Sequence, residues 1–456
     1  MLPVVLSANG PSGFTIANSL RFRSSASAYL NRTPSVAGNR TTWTWSGWVK
    51  RGSLQTSTRQ TIFSASDGTL QNYTEISFDT DSIRLLNYTA NVKELDRTST
   101  SVYRDPSAWY HIVLAFDTTQ STATNRQRVY INGVEVTAWT NTAQMAQNAN
   151  GWVNSTQPHR VALLNGFTSY FDGYLADINF IDGQALTPSS FGEIDSTTGV
   201  WKAKRYTGTY GTNGFRLNFS NGTSTTTLGY DSSGNGNNWT TNNISLTAGS
   251  TYDWMIDSPT KFPGSSYGVG NYAVLNPLSK QTYFTYNGGT LSSANLNLTT
   301  STGAFYLPST IAVNSGKWYF ENTFTNATSS NTRTGFTTAL KDAVSGTDLT
   351  INACIYATNV ATSNNFITLN GTNQQAGLTG YNSGVVGVAI DLDSLTCQFY
   401  VNGSTYGTQV TGLTAGTYAA FVYGAANCSA IANFGQRPFA FSVPSGFKSL
   451  CTYNLP

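Results

Sequence analysis

Apolar and aromatic residues in this chain recur at every second position, in short runs cut off by Gly, Asn, Asp or Ser. Thr42–Lys50 (TWTWSGWVK) places Trp43, Trp45 and Val49 on alternate positions, and Gln60–Ser66, Glu75–Phe78, Trp109–Phe116 (WYHIVLAF) and Tyr174–Ile181 follow the same rule. A period of two is that of a strand, whose successive side chains point to opposite faces. No segment longer than ~10 residues carries a 3.6-residue apolar period, so very little helix is expected. Composition agrees. Aromatics make up 13% of the 456 residues and charged residues only 10%, against a typical ~25%. Trp, Tyr, Phe and Thr favour strands, and Gly and Asn favour turns. A disordered chain would lack the aromatics. A coiled coil would need heptads of Leu, Ala, Glu and Lys. No apolar run approaches the ~18 residues of a membrane span. The expected fold is all-β, with two β-sandwich or jelly-roll domains in tandem.

Two Asn-Gly pairs sharpen this reading. Arg128–Val136 (RVYINGVEV) and Gln398–Tyr406 (QFYVNGSTY) each read as a hairpin with a two-residue turn. They are too far apart for a solenoid repeat and fit two sandwiches that reuse one local solution. Pro and Gly cluster after Ser258. The chain is therefore divided into an N-terminal arm 1–14, a first domain 15–257, a linker with possible strands 258–300, and a second domain 301–456.

Charge excludes some partners. Twenty-five basic and 22 acidic residues leave a net +3, which does not suit a nucleic-acid binder. The short cluster Lys202, Lys204 and Arg205 reads as a solvated loop. Met1–Gly10 has no basic and apolar regions of a signal peptide, so none is expected. Cys354, Cys397, Cys428 and Cys451 fit neither a zinc site nor a disulfide framework, and a reducing assembly compartment is the simpler reading.

Two stretches resemble known families. Ser19 to about Asp257 is similar to laminin-G-like (concanavalin A-like) jelly rolls. The matching pieces are SLRF at Ser19–Phe22, WTWSGWVK at Trp43–Lys50, WYHIVLAF followed by RVYINGVEV, and FDGYLADINFIDGQAL at Phe171–Leu186. Gly316 to Leu450 resembles SPRY-type sandwiches through GKWYFE at Gly316–Glu321, VGVAIDLDSLTCQFYVNG at Val386–Gly403, NFGQRPFAF at Asn433–Phe441 and PSGF at Pro444–Phe447. The phrases around Ala28–Gly52, Ser189–Phe215 and Leu228–Thr240 resemble virion proteins of aquatic tailed phages. That resemblance implies a virion fibre or appendage subunit, assembled in the host cytoplasm as a homotrimer among other virion proteins. Such a subunit would adhere to host surface polysaccharide without catalysis, nucleic acid or membrane insertion. A capsid decoration or stalk with a purely structural role is the alternative, and a polysaccharide depolymerase a third.

The concanavalin A-like fold also serves glucan hydrolases, so paired carboxylates matter. Glu193-Ile194-Asp195 matches the first half of E-x-D-x-x-E, but Thr198 stands where the last carboxylate belongs. Gly264–Gly268 matches G-x-S-x-G without the flanking strand and helix, and His111 and His159 both precede it, so no Ser-acid-His order exists. His111 is expected half-buried on a strand, opposite the Ile112/Leu114 face. No catalytic residue is assigned. Asp231, Asn235 and Asn237 lie in an Asp/Asn/Gly loop that offers hard oxygens to calcium, although Asx turns explain them equally. No other cofactor is expected. Sugar binding needs aromatic faces and neutral hydrogen-bonding groups. The loop candidates are Trp139, Trp152, Tyr170, Tyr210 and Trp239 in the first domain and Tyr381, Tyr406 and Tyr423 in the second.

Overall fold

The computed structural model describes residues 13–54, 58–264, 267–279, 289–301, 305–325, 332–338, 353–359, 364–379, 384–424 and 427–456. The chain is all-β and divides into two compact units. One comprises Leu6–Thr247 with Tyr252–Phe262. The other comprises Pro263–Pro456 with Ala248–Thr251. Among the described residues the single α-helix is Thr225–Leu228, closed by a capping box between Ser224 and Thr227. No described helix is long and apolar enough to cross a membrane.

The first unit is a sandwich of two antiparallel sheets. One runs in the order Val134–Glu135, Gln127–Ile131, Trp109–Asp117, Thr42–Arg51, Gly173–Asp182, Ser19–Phe22, Trp254–Met255. The other runs Trp139–Ala143, Val92–Ser99, Ser82–Thr89, Tyr73–Asp79, Gln60–Ser66, His159–Val161, Tyr29–Arg32, Thr240–Asn242. Alternation sends Trp43, Trp45, Leu114 and Phe180 from the first sheet against Phe63, Ile76, Phe78 and Leu85 from the second, all buried. Trp45 and Phe63 meet across the sandwich with centroids 6.2 Å apart. Trp43 stacks on Phe116 at 4.5 Å. A bulge interrupts Gly173–Asp182 between Ala176 and Asn179, and Phe215–Leu217 pairs with the strand beyond it. Asp177 sits in the bulge at φ +46°, a left-handed conformation that Asp tolerates better than most residues.

The first sheet departs from the alternating rule on its outer face. Thr44, Ser46, Trp48 and Lys50 are as buried as their inward neighbours. Val113, Ala115, Tyr130, Ile181, Phe191 and Tyr206 form a second small core on this face. The segment after Asp182, including the hairpin Gly192–Ile194 and Trp201–Ala203, supplies part of that core.

The second unit is also a two-sheet sandwich. One sheet runs Gly289–Ser292, Asn297–Thr300, Cys428–Asn433, Lys317–Thr325, Gly384–Asp391, Thr396–Val401, Ser404–Thr411, with Lys448–Ser449 parallel to Lys317–Thr325. The other runs Phe305–Val313, Tyr418–Gly424, Thr332–Thr337, Ala353–Asn359, Asn364–Leu369, Thr372–Thr379. Phe320, Phe336, Phe399, Tyr418 and Phe434 fill its core. The buried Glu321 carboxylate accepts from the backbone N–H of Ala440 and Phe441, at 2.8 and 3.1 Å, and so ties 438–441 to its strand. Burial pushes its pKa up. Cys397, Cys428 and Cys451 are buried free thiols.

Both Asn-Gly pairs form the expected turns. Asn132 and Gly133 have φ of +50° and +82°, and Asn402 and Gly403 have +47° and +80°, the two positive values that a type I′ turn requires. Each Asn also clamps the next strand. Asn132 Oδ1 accepts from His111 N at 2.8 Å while its own N–H donates to His111 O. Asn402 repeats both bonds with Val385.

The stretch 258–300, expected as a linker with possible strands, divides between the two units. Ser258 and Thr260 hydrogen-bond the backbone of Ile16 in the first. Tyr272–Leu275 are buried in the second, and Gly289–Ser292 and Asn297–Thr300 extend one of its sheets. Pro and Gly marked a boundary, but the buried run YAVL shows that the polypeptide after it belongs to a core. Of the arm, residues 1–12 lie outside the described residues, as do Ser265 and Ser266 of the G-x-S-x-G match.

Candidate functional site: a tyrosine-lined groove on the first sandwich

The cover over the first sheet is anchored at His111. This residue is fully buried, not half-buried, because Trp201 closes over it and Trp48 stacks on it at 4.8 Å. Trp201 Nε1 donates to His111 Nδ1 at 3.0 Å, so Nδ1 is bare and Nε2–H faces Ser46 Oγ at 2.9 Å. Burial pushes the imidazole pKa down to about 3. This is a neutral structural histidine. Gly133 makes the same contact possible: a Cβ there would stand 2.5 Å from Trp201 Cζ3, on a backbone at φ +82°. Gly133→Ala is expected to lower stability by roughly 1–3 kcal/mol, read as a fall in the melting temperature of the full chain.

Beyond Trp201 the cover forms a shallow groove of about 260 Å³ lined by Arg205, Tyr206, Thr207, Gly208, Tyr210, Arg216, Ser232 and Ser233. The rings of Tyr206 and Tyr210 meet edge to face, 5.1 Å apart at 89°. Tyr206 rests on Phe191 at 5.2 Å. Their hydroxyls are tied down, Tyr210 to Asn179 Oδ1 at 2.9 Å and Tyr206 to Thr209 O at 3.0 Å. Burial raises both phenol pKa values, so both stay neutral. Arg216 is held by Asp177 at 2.6 Å, which explains why the bulge carries a carboxylate. Arg205, Thr207 and Ser232 remain exposed. The groove thus offers rigid aromatic edges, hydroxyls and a guanidinium, with few mobile parts to order on binding.

Of the sugar-binding candidates, Tyr210 alone lies in this groove. Trp239 is corrected: it is 3% exposed and packs edge to face on Phe215 at 4.9 Å, so it has no face to present. Its position between Asn238 and Thr240 looked like a loop, but the sandwich draws the ring inward. Trp139 and Trp152 are half-buried against the core. Arg97 lies 4.0 Å over Trp139, and Trp152 Nε1 donates to Tyr88 O. Tyr170 is half-exposed beside Tyr29. In the second unit, Tyr406 packs against the core and Tyr423 lies under Arg333 at 5.2 Å. Tyr381 lies outside the described residues. Composition marked aromatics only as a class. Which of them stay at the surface depends on packing.

The carboxylates are committed elsewhere. Asp195 Oδ1 accepts from the N–H of Thr197 and Thr198, both at 2.9 Å, and Lys202 lies 3.3 Å from Glu193 and 3.5 Å from Asp195. The hydrogen bond from Thr198 leads in lowering the Asp195 pKa, the opposite of what a general acid needs. Asp231 Oδ1 accepts from the N–H of Arg216 and Ser233, and Oδ2 from Ser233 Oγ and Asn237 N. Asn235 and Asn237 turn their amide N–H groups to the carbonyls of Gly211, Thr212 and Gly214. Asn237 Oδ1 accepts from Arg32. Asp231, Asn235 and Asn237 thus form an Asx-turn lock next to Ser232 and Ser233 of the groove. No described group of three or more His, Cys, Asp and Glu is arranged to hold a metal.

Residues 23–192 match a family model described as the concanavalin A-like lectin/glucanases superfamily. A comparison with curated proteins found no match. Solved structures similar to this chain include the TRIM65 PSpry domain, with 15% identity over 35% of this chain and 89% of that one and a TM-score of 0.29. The SPRY domain of human HERC1 gives 18% identity over 31% and 91%, with a TM-score of 0.27. A heptameric SAP-like pentraxin from Limulus polyphemus gives 17% over 38% and 80%, with a TM-score of 0.28.

Proposed function

We propose that this chain is a non-enzymatic glycan-binding protein, with the groove around Tyr206 and Tyr210 as a sugar site. The observation that carries the reading is the joining, in one groove of a concanavalin A-like sandwich, of the half-buried Tyr210 ring and the edge of Tyr206 with the exposed Thr207 and Ser232 hydroxyls and a guanidinium. Sugar rings bury their C–H faces on aromatics and satisfy their hydroxyls with neutral polar groups. The occupied state of Glu193 and Asp195 supports binding over hydrolysis. The phrases shared with tailed-phage virion proteins support a fibre or appendage subunit. In a trimer, weak single sites would act together against a polysaccharide surface.

A glycan array with the full chain tests this. Thr207→Trp, at an exposed position lining the groove, is expected to abolish most neutral-glycan binding without changing the melting temperature. Unaltered binding by that variant would move the sugar site elsewhere. Binding to no saccharide would leave the structural decoration role, and reducing-sugar release would restore the depolymerase.

A further inference from the structure

Almost every arginine of the first unit has an evident partner. Arg21 and Arg23 hold Asp253, Arg51 and Arg104 hold Asp81, Arg59 holds Glu75, Arg84 holds Asp79 and Asp96, Arg128 holds Glu135 and Arg216 holds Asp177. Arg126 donates to three carbonyls. Arg160 differs. It lies mid-sheet on His159–Val161, whose other two side chains are buried inward. The alternation sends Arg160 to the outer face, between its cross-strand partners Asn31 and Ser64. Its one hydrogen bond is from Nη1 to the carbonyl of His159, at a long 3.3 Å. Its Nε is buried and meets no acceptor. Glu75, which the register places on the same face beyond Ser64, is already taken by Arg59 at 2.8 Å and Thr61 at 2.6 Å.

The surroundings are those of a binding surface. The Arg160 guanidinium stands 5.5 Å from the ring of Tyr29, and Tyr170 lies 6.4 Å from Tyr29 at 48°. Both tyrosines are half-exposed. Asn31 Oδ1 accepts from Asn242 at 2.7 Å, which orients the Asn31 amide and leaves its N–H₂ to donate outward. A guanidinium has five N–H donors in a planar fork that matches a two-oxygen anion. The buried Nε–H without an acceptor carries a desolvation cost, and a ligand anion would relieve that cost.

We propose that Arg160, with Tyr29, Tyr170 and Asn31, forms a second saccharide site, selective for a sugar carrying an anionic group, a carboxylate or a sulfate ester. The fork takes the anion, the tyrosines flank the ring, and the Asn31 amide meets a neighbouring hydroxyl. The proposal rests on the reading that this chain binds glycans, but on different residues from the groove.

The test uses the full chain and calorimetric titration with three probes: polygalacturonate oligosaccharides for carboxylates, sulfated galactan oligosaccharides for sulfates, and neutral galactan oligosaccharides. Wild type is expected to prefer at least one acidic probe, and the preference should weaken with salt. The probe that binds tells carboxylate from sulfate. Arg160→Gln is expected to lose roughly tenfold or more in acidic binding and nothing in neutral binding. Arg160→Lys, which keeps the charge without the fork, should recover only part. Tyr170→Ala, at a half-exposed loop position, should weaken acidic binding even if Arg160→Gln fails to fold. Thr207→Trp should leave acidic preference intact. Equal binding of acidic and neutral probes by wild type, or an Arg160→Gln protein that folds and still prefers acidic probes, overturns the proposal. Loss of the preference on Arg205→Gln instead would also overturn it. In each of these cases the groove reading survives. Binding to no saccharide overturns both.

Discussion

Lowering the pH from 7 to 4.5 is expected to strip several kcal/mol from the first sandwich, through His111 and His159. Burial pushes their pKa values down to about 3 and about 4. Geometry reinforces burial. The bare nitrogen of His111 receives Trp201 Nε1–H, and that of His159 receives the N–H of Asn154 at 2.8 Å. His159 Nδ1 donates to Gln157 O. A proton added to either bare nitrogen would face a donor. Both folded pKa values lie below the unfolded ~6.5. The unfolded chain therefore binds more protons in acid, and stability falls as pH drops below ~6.5, at up to about 2.7 kcal/mol per pH unit for two sites. Glu75, whose pKa burial raises, works in the opposite direction from the ordinary carboxylate range upward and offsets part of this fall. The window to follow is pH 6.5 to 4.5. Calorimetry at several pH values should show the melting temperature of one unit falling through this window. His111→Gln should cost stability at pH 7 and flatten the fall. A melting temperature of that unit that stays level from pH 6.5 to 5 would refute the account.

Asp257→Ala should be the most damaging surface-distant substitution in the same unit. Lys50 and Asp257 are 2.7 Å apart, and both side chains are fully buried. Asp257 Oδ1 also accepts from Trp109 Nε1 at 3.0 Å, and the ammonium lies 5.6 Å over the Tyr174 ring. Burial already depresses the Lys50 pKa, and Asp257 is the main force opposing that fall. Without the carboxylate the buried ammonium loses the partner that does most to hold its charge. The expected cost is about 3–5 kcal/mol, some 10 °C for a unit of this size. The Lys50→Met/Asp257→Leu double variant should lose less than Asp257→Ala, because no lone charge remains. Measured by thermal unfolding, a loss under about 1 kcal/mol for Asp257→Ala would show that the pair is dispensable.

This pair is instructive about sequence reading. Period two in Thr42–Lys50 correctly put Trp43, Trp45 and Val49 in the core. That period carries no sign that Lys50, on the other face, is fully buried. It is buried because Tyr252–Phe262 returns to pair Trp254–Met255 with Ser19–Phe22, bringing Asp257 across 207 residues. His111 follows the same logic. Its strand WYHIVLAF reads almost as a continuous apolar run, a sign of burial on both faces, and that signal could have found it. The sugar-site candidates were the least legible. Tyr206 and Arg160 carried no local mark, and Trp239 carried a misleading one.

Local residues alone determined what is local: strands from alternation, both type I′ turns from Asn-Gly, the near absence of helix, and the number of sandwiches. These depend on backbone preference and on which side chains prefer water, and neighbours in sequence settle both. The tertiary structure decided which faces are covered, which arginines find carboxylates, and which tyrosines share a groove. Those outcomes depend on segments tens to hundreds of residues apart competing for the same surface. Burial and pairing energies between distant groups are not written in any one stretch of chain.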